Sequence, residues 1–431
     1  MTRAETGRRP RRRPSLLWIP VLLAVVGVAV VVALQLRVPA RGVDRCAPPA
    51  SAVAADGEAW VASWGAAMQA SLPDGPSAQG FAGRTLRQPA HLSLGGRQVR
   101  VSLSNAFGDR PLVVGAATVA RCDPEGGART QGPQHPVTWD GRTAVTIAPG
   151  ATRSSDPVDL AVADGTDVLV STYLSQPAGA VTWRPYAWAR TFAADGDATG
   201  SAGDGFEVLG SSLYFLTGVD VLAPSDGAVV TLGDSITEGC CSSAFVDAHV
   251  SYPDVLARRL AALPPGSRMA VVNAGISSNQ VLTDLIGERM TGRVARDVLE
   301  RPGVRTVVVL GGVNDLVRSG GTLPADRLTA GYREIVAQAH AAGVRVVGAT
   351  VLPYGANPRH TEQAERTRQA VNEWIRTSGV FDAVADLDAT TRDPLAPDRL
   401  LTEYDSGDGI HPSAAGYAAM AEAIRLADLA P

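Results

Sequence analysis

Ser235 follows a short apolar stretch, Ala228–Leu232, that is rich in valine and threonine. Such a stretch predicts a buried β-strand, and Gly233 after it allows the chain to turn sharply. A serine at this point is either a turn or helix-capping residue or a nucleophile whose hydroxyl faces a cleft. In open α/β sheets ligands bind at the carboxyl ends of the strands, and Ser235 stands at such an end.

A nucleophilic serine needs a base that takes its proton and a third group that orients the base. Histidine suits the task because its imidazole is neutral and basic near pH 7. His411 lies in the segment Asp408-Gly409-Ile410-His411-Pro412, just before the last helical stretch of the chain. Asp408 is placed to accept a hydrogen bond from the second ring nitrogen of His411. A structural histidine in an Asp-rich turn is the alternative interpretation.

Acyl transfer also needs hydrogen-bond donors for the developing oxyanion. Gly275 follows a second strand-like stretch and allows close approach of a backbone N–H. Asn314 follows a third such stretch and offers a side-chain amide. The neighbouring Asp234 and Asp315 are interpreted as residues that hold turns, and both are left out of the triad.

The segments that carry these residues alternate between strands and helices, which predicts a parallel sheet covered by helices on both faces over residues 225–431. The predicted strands after the first are Ala270–Asn273, Thr306–Leu310, Val344–Thr350 and Val380–Ala385. The predicted helices are Tyr252–Leu263, Ala325–Ala342, Thr361–Thr377 and Ser413–Leu426.

Residues 57–224 have a different pattern, in which apolar and polar residues alternate with period two. Gly95-Gly96 and Asp140-Gly141 each separate two alternating segments and predict two-residue hairpin turns. Further strands are predicted at Leu112–Val119, Val168–Leu174 and Leu213–Val221. Because no convincing helix lies between them, this region is predicted to be an antiparallel sandwich or jelly roll.

The N-terminal region predicts a membrane segment. Residues 1–15 are rich in arginine, and the predicted membrane segment, residues 16–36, contains the uncharged stretch Leu16–Leu34, which would span roughly 29 Å as a helix. We expect an uncleaved anchor, although Val38-Pro39-Ala40 could serve as a signal cleavage site and release a secreted protein. The arginines should stay in the cytoplasm, which places the chain after the membrane segment outside the cytoplasm, with residues 37–56 as the linker.

The segments around Ser235, Gly275, Asn314 and Asp408–His411 together resemble the sequence blocks of the GDSL/SGNH hydrolase superfamily, with GDSI in place of the commoner GDSL. The resemblance implies a three-layer α/β/α domain in which Ser235 is the nucleophile and Asp408 and His411 complete the triad. It also implies an oxyanion hole made of the N–H of Ser235, Gly275 and the side chain of Asn314.

The resemblance extends over about residues 226–426. The β-rich region before it resembles the accessory domain of bacterial esterases of this superfamily, including acetylxylan-esterase-like ones. A substrate does not follow from that likeness alone.

The charge, the metal and phosphate motifs and the cysteines of the chain indicate which binding partners and disulfides to expect. The net charge is −4, and the body of the chain is more acidic than that because residues 1–15 are basic, so no nucleic-acid partner is expected. No metal-ligand spacing and no phosphate-binding loop is present, so neither a metal nor a cofactor is expected. The four cysteines allow three pairings, of which Cys46–Cys122 with Cys240–Cys241 is our prediction.

These features predict a membrane-anchored serine esterase that needs no cofactor. The expected substrate is a short-acyl ester, such as an O-acetyl group on a polysaccharide, because no continuous apolar lid flanks Ser235. A lipase or lysophospholipase acting on lipid esters is the enzymatic alternative. A non-catalytic carbohydrate-binding surface protein is the third.

Overall fold

The computed structural model describes residues 58–430. The predicted basic tail, membrane segment and linker lie outside these residues, so the anchor stays a prediction. Within residues 58–430, no helix has the length and the apolar character that a membrane crossing requires.

The first part of the described chain is all-β, as predicted, with antiparallel sheets of four, three and seven strands. The four-stranded sheet has the order β1-β14-β4-β8 and packs its apolar face against the larger sheet. The strands are β1 (Glu58–Gly65), β2 (Gln69–Ala70), β3 (Arg84–His91), β4 (Val99–Ser104), β5 (Leu112–Cys122), β6 (Thr130–Pro136), β7 (Val145–Ile147), β8 (Thr152–Ser154), β9 (Asp167–Leu174), β10 (Thr182–Arg184), β11 (Thr191–Asp195), β12 (Glu207–Gly210), β13 (Leu213–Tyr214) and β14 (Leu216–Pro224).

Two of the sequence predictions for this part need correction. Gly95-Gly96 does not close a hairpin, because β3 and β4 belong to different sheets and the glycines lie on the crossover between them. A Cβ on Gly95 would come within 2.5 Å of the Val162 carbonyl oxygen, so close packing explains that glycine. The predicted strand Leu213–Val221 is interrupted at Phe215, whose φ of 63° is left-handed.

The second predicted turn is confirmed. Trp139 and Arg142 exchange backbone hydrogen bonds of 2.8 and 3.0 Å around Asp140-Gly141. Both turn residues have positive φ, 51° and 74°, which is the geometry of a type I′ turn.

The second part of the described chain is built on a five-stranded parallel sheet of order β16-β15-β17-β18-β19. Its strands are β15 (Gly227–Gly233), β16 (Met269–Gly275), β17 (Val304–Leu310), β18 (Arg345–Ala349) and β19 (Ala383–Ala385). Because β16 follows β15 on one side and β17 lies on the other, the strand order reverses at β15. Ligands of open α/β sheets bind at such a switch point, outside the carboxyl ends of the strands.

One short helix, α1 (Pro76–Gln79), lies in the sandwich. The helices of the parallel-sheet domain share one apolar core with the sheet, in which β15 is buried along its whole length. They are α2 (Ser235–Glu238), α3 (Tyr252–Ala261), α4 (Met290–Val294), α5 (Val313–Arg318), α6 (Ala325–Ala341), α7 (Glu362–Thr377), α8 (Leu387–Thr391) and α9 (Ala414–Ala423). The predicted strands and helices are confirmed to within a few residues at their ends. Helices α2, α4, α5 and α8 of this domain were not predicted, because each is too short to show a helical period.

The sandwich and the parallel-sheet domain share a contact along β16. Ala66 forms a parallel bridge with Asn273, and the N–H of Val271 donates to Ser93 Oγ at 2.9 Å. Only Ser225-Asp226 separates β14 from β15. The predicted division at residue 225 falls in this connection and stays a prediction.

Candidate active site

Ser235 is presented by a sharp turn between β15 and α2. Asp234 caps the helix, since its Oδ1 accepts the N–H of Ile236 at 2.9 Å. A Cβ on Gly233 would collide with Thr237 and approach the Leu310 carbonyl oxygen to 2.6 Å, so the turn requires glycine. Asp234 therefore holds the turn, as the sequence analysis predicted.

A continuous chain of contacts connects Ser235 with His411 and Asp408. The Nδ1–H of His411 donates to Asp408 Oδ2 at 2.6 Å, which leaves Nε2 to accept the Ser235 hydroxyl at 2.9 Å. Asp408 Oδ1 accepts the backbone N–H of His411 at 2.9 Å and that of Ile410 at 3.0 Å. The structure thus brings the three predicted triad residues together.

The pKa of Asp408 is lowered to about 2. Partial burial acts to raise this pKa, but the hydrogen bond from His411 and the two backbone donors outweigh it. Asp408 is therefore ionised over the whole neutral range and holds His411 in the tautomer whose Nε2 is free to accept a proton.

Asn314 lies in the first turn of α5, directly after β17 and beside the switch point. Its Nδ2 donates to the backbone oxygen of Asn279 at 3.1 Å, which fixes the amide and leaves its second N–H hydrogen for another acceptor. Asp315 next to it accepts the N–H groups of Val281 and Leu282 and so anchors the same segment.

The N–H of Gly275 does not take its predicted role as an oxyanion donor beside Ser235 and Asn314. Its N–H donates to Asn273 Oδ1 at 2.9 Å, and the space where a Cβ would lie is filled by Glu238 and Asp234. The glycine is needed for close packing behind α2, and its N–H is already engaged within the loop.

Ser278 offers a backbone N–H that the sequence analysis missed. The turn Ile276–Asn279 is closed by the N–H of Asn279, which donates to the oxygen of Ile276 at 3.1 Å. Ser278 occupies the third position of this turn with a φ of 61°. Among residues 58–430 its N–H has no acceptor. A polar turn directly after a predicted strand was the only signal for it in the sequence.

Residues 231–419 match the model of the GDSL-like Lipase/Acylhydrolase family. The parallel-sheet domain is a GDSL/SGNH-type esterase domain. This confirms the resemblance that the four sequence blocks indicated.

Solved structures of the same family are similar to this chain. A GDSL-like lipase from Bacteroides thetaiotaomicron is 22% identical, with a TM-score of 0.37, and the match covers 47% of this chain and 88% of that one. A member of the lipolytic protein G-D-S-L family from Veillonella parvula is 15% identical, with a TM-score of 0.35 and coverages of 46% and 94%.

The acetylxylan esterase Axe2 from Geobacillus stearothermophilus is 21% identical, with a TM-score of 0.35 and coverages of 46% and 91%. No curated protein matches the chain.

A disulfide lies beside the active site of the esterase domain. Cys240 and Cys241 are bonded to each other, as predicted. Their sulfurs and a ring nitrogen of His411 lie within 4.8 Å of one another, with Cys240 buried and Cys241 exposed. No cysteine of the described residues is free, and Cys46 of the predicted Cys46–Cys122 pair lies outside them.

A second cluster of imidazoles and a carboxylate joins the esterase domain to the sandwich. His91 Nδ1 lies 2.7 Å from one oxygen of Asp167, and His249 Nε2 lies 3.5 Å from the other. The two rings are stacked with centroids 3.8 Å apart and planes 14° from parallel. The lone pair of an imidazole lies in the ring plane, so parallel stacked rings do not direct both lone pairs at one ion. The cluster is two imidazoles sharing one carboxylate.

Both histidines of this cluster line a small cavity of about 90 Å³ between the two domains. Ser235 and His411 do not line it, so the cavity is separate from the catalytic contacts.

Proposed function

We propose that the esterase domain hydrolyses carboxylic esters through an acyl-enzyme on Ser235. The observation that carries this proposal is the chain of contacts from Ser235 Oγ to His411 Nε2 and from His411 Nδ1 to Asp408 Oδ2, at 2.9 and 2.6 Å. A base within hydrogen-bond distance of a hydroxyl, oriented by a carboxylate, is the arrangement that activates a serine.

In the first half-reaction the Ser235 oxygen attacks the ester carbonyl carbon while His411 Nε2 takes the hydroxyl proton. The alcohol leaves with that proton, and the acyl group stays on Ser235. In the second half-reaction His411 takes a proton from water, which attacks the acyl-enzyme and releases the carboxylic acid. Ser235 then regains a proton from His411.

The oxyanion of each tetrahedral intermediate needs donors in fixed positions. The N–H of Ser235 at the start of α2 and the free amide hydrogen of Asn314 supply two of them in this proposal. The N–H of Ser278 replaces Gly275 as the third, because the turn leaves it without an acceptor in the described chain.

The substrate we propose is a short-acyl ester, such as an O-acetyl group on a carbohydrate. No continuous apolar lid flanks Ser235 in the sequence, and the Cys240–Cys241 disulfide occupies space next to His411. A long acyl chain needs a large apolar surface to leave water, and these features offer little of it.

A lipid ester is the second candidate, and one observation favours it. Leu285 and Ile286 are 57% and 41% exposed in the loop that follows Asn279. Adjacent exposed apolar side chains near a site of ester hydrolysis are suited to an acyl chain or a lipid surface.

We further propose that residues 16–36 anchor the chain in the cell membrane with the esterase domain outside the cytoplasm. The arginines of residues 1–15 support this orientation. Protease added to intact cells should then release a soluble fragment that begins within residues 37–56. A protected esterase domain would contradict the orientation, and release without protease would favour the secreted alternative.

The chemistry and the substrate are tested together by comparing the wild type with Ser235→Ala on p-nitrophenyl esters from acetyl to palmitoyl and on acetylated xylan. The wild type should hydrolyse acetyl esters fastest and release acetate from xylan, and Ser235→Ala should do neither. A maximum at long acyl chains would favour the lipid ester. Undiminished turnover by Ser235→Ala would reject the mechanism. A wild type that hydrolyses none of these esters would favour the third alternative, a non-catalytic carbohydrate-binding protein.

A further inference from the structure

Arg293 is one of the few arginines whose side chain is completely enclosed by protein, with 0% of it exposed. It lies in α4. A buried guanidinium is tolerated only when its N–H groups have acceptors and its charge is balanced. The acceptors of the Arg293 guanidinium therefore indicate the structural role of this side chain.

The guanidinium donates to both strands that end at the active site. Nη2 donates to the backbone oxygen of Gly233 at 2.8 Å, and Nη1 donates to that of Ala274 at 2.7 Å. Gly233 is two residues before Ser235, and Ala274 precedes the turn that contains Ser278. One side chain thus ties the end of β15 to the end of β16.

The same guanidinium is connected through Asn279 to the donor Asn314. Its Nε donates to Asn279 Oδ1 at 3.1 Å, and the backbone oxygen of Asn279 accepts the amide of Asn314 at 3.1 Å. Asn279 also closes the turn around Ser278 through its N–H. Arg293 is therefore connected by at most one residue to every segment that holds a proposed oxyanion donor.

The charge of the guanidinium is balanced by Asp297, whose carboxylate also accepts hydrogen bonds from Arg296. Asp297 Oδ2 lies 3.2 Å from Nη1, one helical turn along the chain. Asp297 belongs to the π-helical segment Ala295–Leu299, and π-turns inside helices are frequent at functional sites. The other hydrogen bonds of the guanidinium go to the end of β15, at Gly233, and to the end of β16 and the turn after it, at Ala274 and Asn279.

We infer that Arg293 is a positioning residue that holds the N–H of Ser235, the N–H of Ser278 and the amide of Asn314 in one oxyanion-binding arrangement. The inference rests on the proposed function and assigns a residue that no sequence block contains. Arg293 touches no substrate. It acts through the carbonyl groups of Gly233 and Ala274 and through Asn279.

The test compares Arg293→Lys with Arg368→Lys in the full chain. Arg368 is a matched control because it is also buried and also donates to carboxylates and a backbone oxygen, those of Glu365, Asp388 and Val351. None of those acceptors lies at the end of β15, β16 or β17. Lysine keeps the charge in both variants but cannot reach acceptors in several directions from one planar group.

Three quantities are measured for each variant: the melting temperature, kcat and KM for p-nitrophenyl acetate, and the inhibition constant of an aryl boronic acid. The boronic acid forms a tetrahedral adduct on a nucleophilic serine and so reports the oxyanion donors. For Arg293→Lys we expect kcat to fall about 10²-fold with little change in KM, and the inhibition constant to rise by about the same factor. For Arg368→Lys we expect a lower melting temperature with kcat and the inhibition constant within about threefold of the wild type.

A folded Arg293→Lys protein with wild-type kcat would overturn the inference, and so would an equal loss of kcat in both variants. If Arg293→Lys does not fold, Asn279→Ala is the second test. This variant removes one of the four acceptors of the Arg293 guanidinium and leaves the other three in place. It should lower kcat about tenfold, and an unchanged kcat contradicts the inference. Ser235→Ala in the same series separates the two claims. Full turnover by Ser235→Ala rejects the proposed function, whereas an inactive Ser235→Ala beside a fully active Arg293→Lys rejects only the role of Arg293.

Discussion

His411 and His249 both belong to the esterase domain, and each faces an aspartate. Nδ1 of His411 contacts Asp408, which lies in the same turn, and Nε2 contacts the hydroxyl of Ser235. His249 contacts Asp167, which lies in the sandwich, and the ring of His249 stacks on that of His91. The residue types are nearly the same in the two places, and the partner of the second nitrogen differs.

That difference separates the proposed catalytic site from a structural contact. An imidazole oriented by a carboxylate is a general base only if its other nitrogen reaches a group that loses a proton. At His411 this group is a serine at a strand end. At His249 the carboxylate comes from another domain, so the contact holds the two domains together. Histidine and aspartate in proximity are therefore not sufficient to predict catalysis.

The largest expected effect comes from removing each histidine in turn. His411→Ala should lower kcat by roughly 10⁴–10⁶-fold, because the serine loses its base, while the melting temperature stays near that of the wild type. His249→Ala should leave kcat within about threefold and should lower the free energy of unfolding by about 1–2 kcal/mol. Steady-state kinetics and thermal unfolding of both variants measure this contrast. If His249→Ala were as inactive as His411→Ala, the two sites could not be assigned different roles.

A smaller loss is expected on the oxyanion side of the esterase site. Asn314→Ala removes one donor and should lower kcat about 10²–10³-fold, equivalent to about 3–4 kcal/mol, with little change in KM. The measurement is kcat and KM on an acetyl ester. A change confined to KM would show that Asn314 binds the ground state and the transition state equally well, and so is not an oxyanion donor specific to the transition state.

The two halves of the active site differ in how far the sequence predicts them. Ser235, Asp408 and His411 lie in short segments whose residue types already limit their role, and their placement follows from the end of one strand and one turn. The oxyanion donors depend on which N–H groups remain free, and that is decided by hydrogen bonds such as the one from Gly275 to Asn273. No residue pattern contains this information.

The same reason explains the other features that the sequence did not predict. Arg293 is distant in sequence from Gly233, and only the packing of α4 places it behind both strand ends. His91, Asp167 and His249 come together because two domains meet. The strand pattern was sufficient to predict a parallel sheet but not its strand order, and Gly95-Gly96 matched a hairpin turn although it serves as a crossover.

The smallest expected effect is the pH dependence of the domain contact at His249. Burial acts to lower the pKa of His249, but Asp167, together with Asp254 and Asp247, raises it to about 8. A raised pKa means that this contact stabilises the fold fully below pH of about 6.5 and that the contribution is lost as the pH rises through about 8.

The measurement is the melting temperature of the wild type and of His249→Ala between pH 5.5 and 9. The two curves should differ by a few degrees at the acidic end and approach each other above pH of about 8. A difference that is constant over this range would contradict an ion pair and leave only packing to explain the contact.

The central claim, that Ser235 is the nucleophile of an esterase, is tested most directly by covalent labelling of the full chain with an aryl fluorophosphonate. The oxygen of an activated serine attacks the phosphorus of such a reagent, fluoride leaves, and a stable phosphonyl ester of the serine remains. Peptide mass spectrometry should find one adduct per chain, on Ser235, with esterase activity lost in proportion to labelling and with no adduct on that peptide in His411→Ala over the same time. A fully labelled Ser235 with activity retained, or activity lost through an adduct on another residue while Ser235 stays unmodified, would contradict the account.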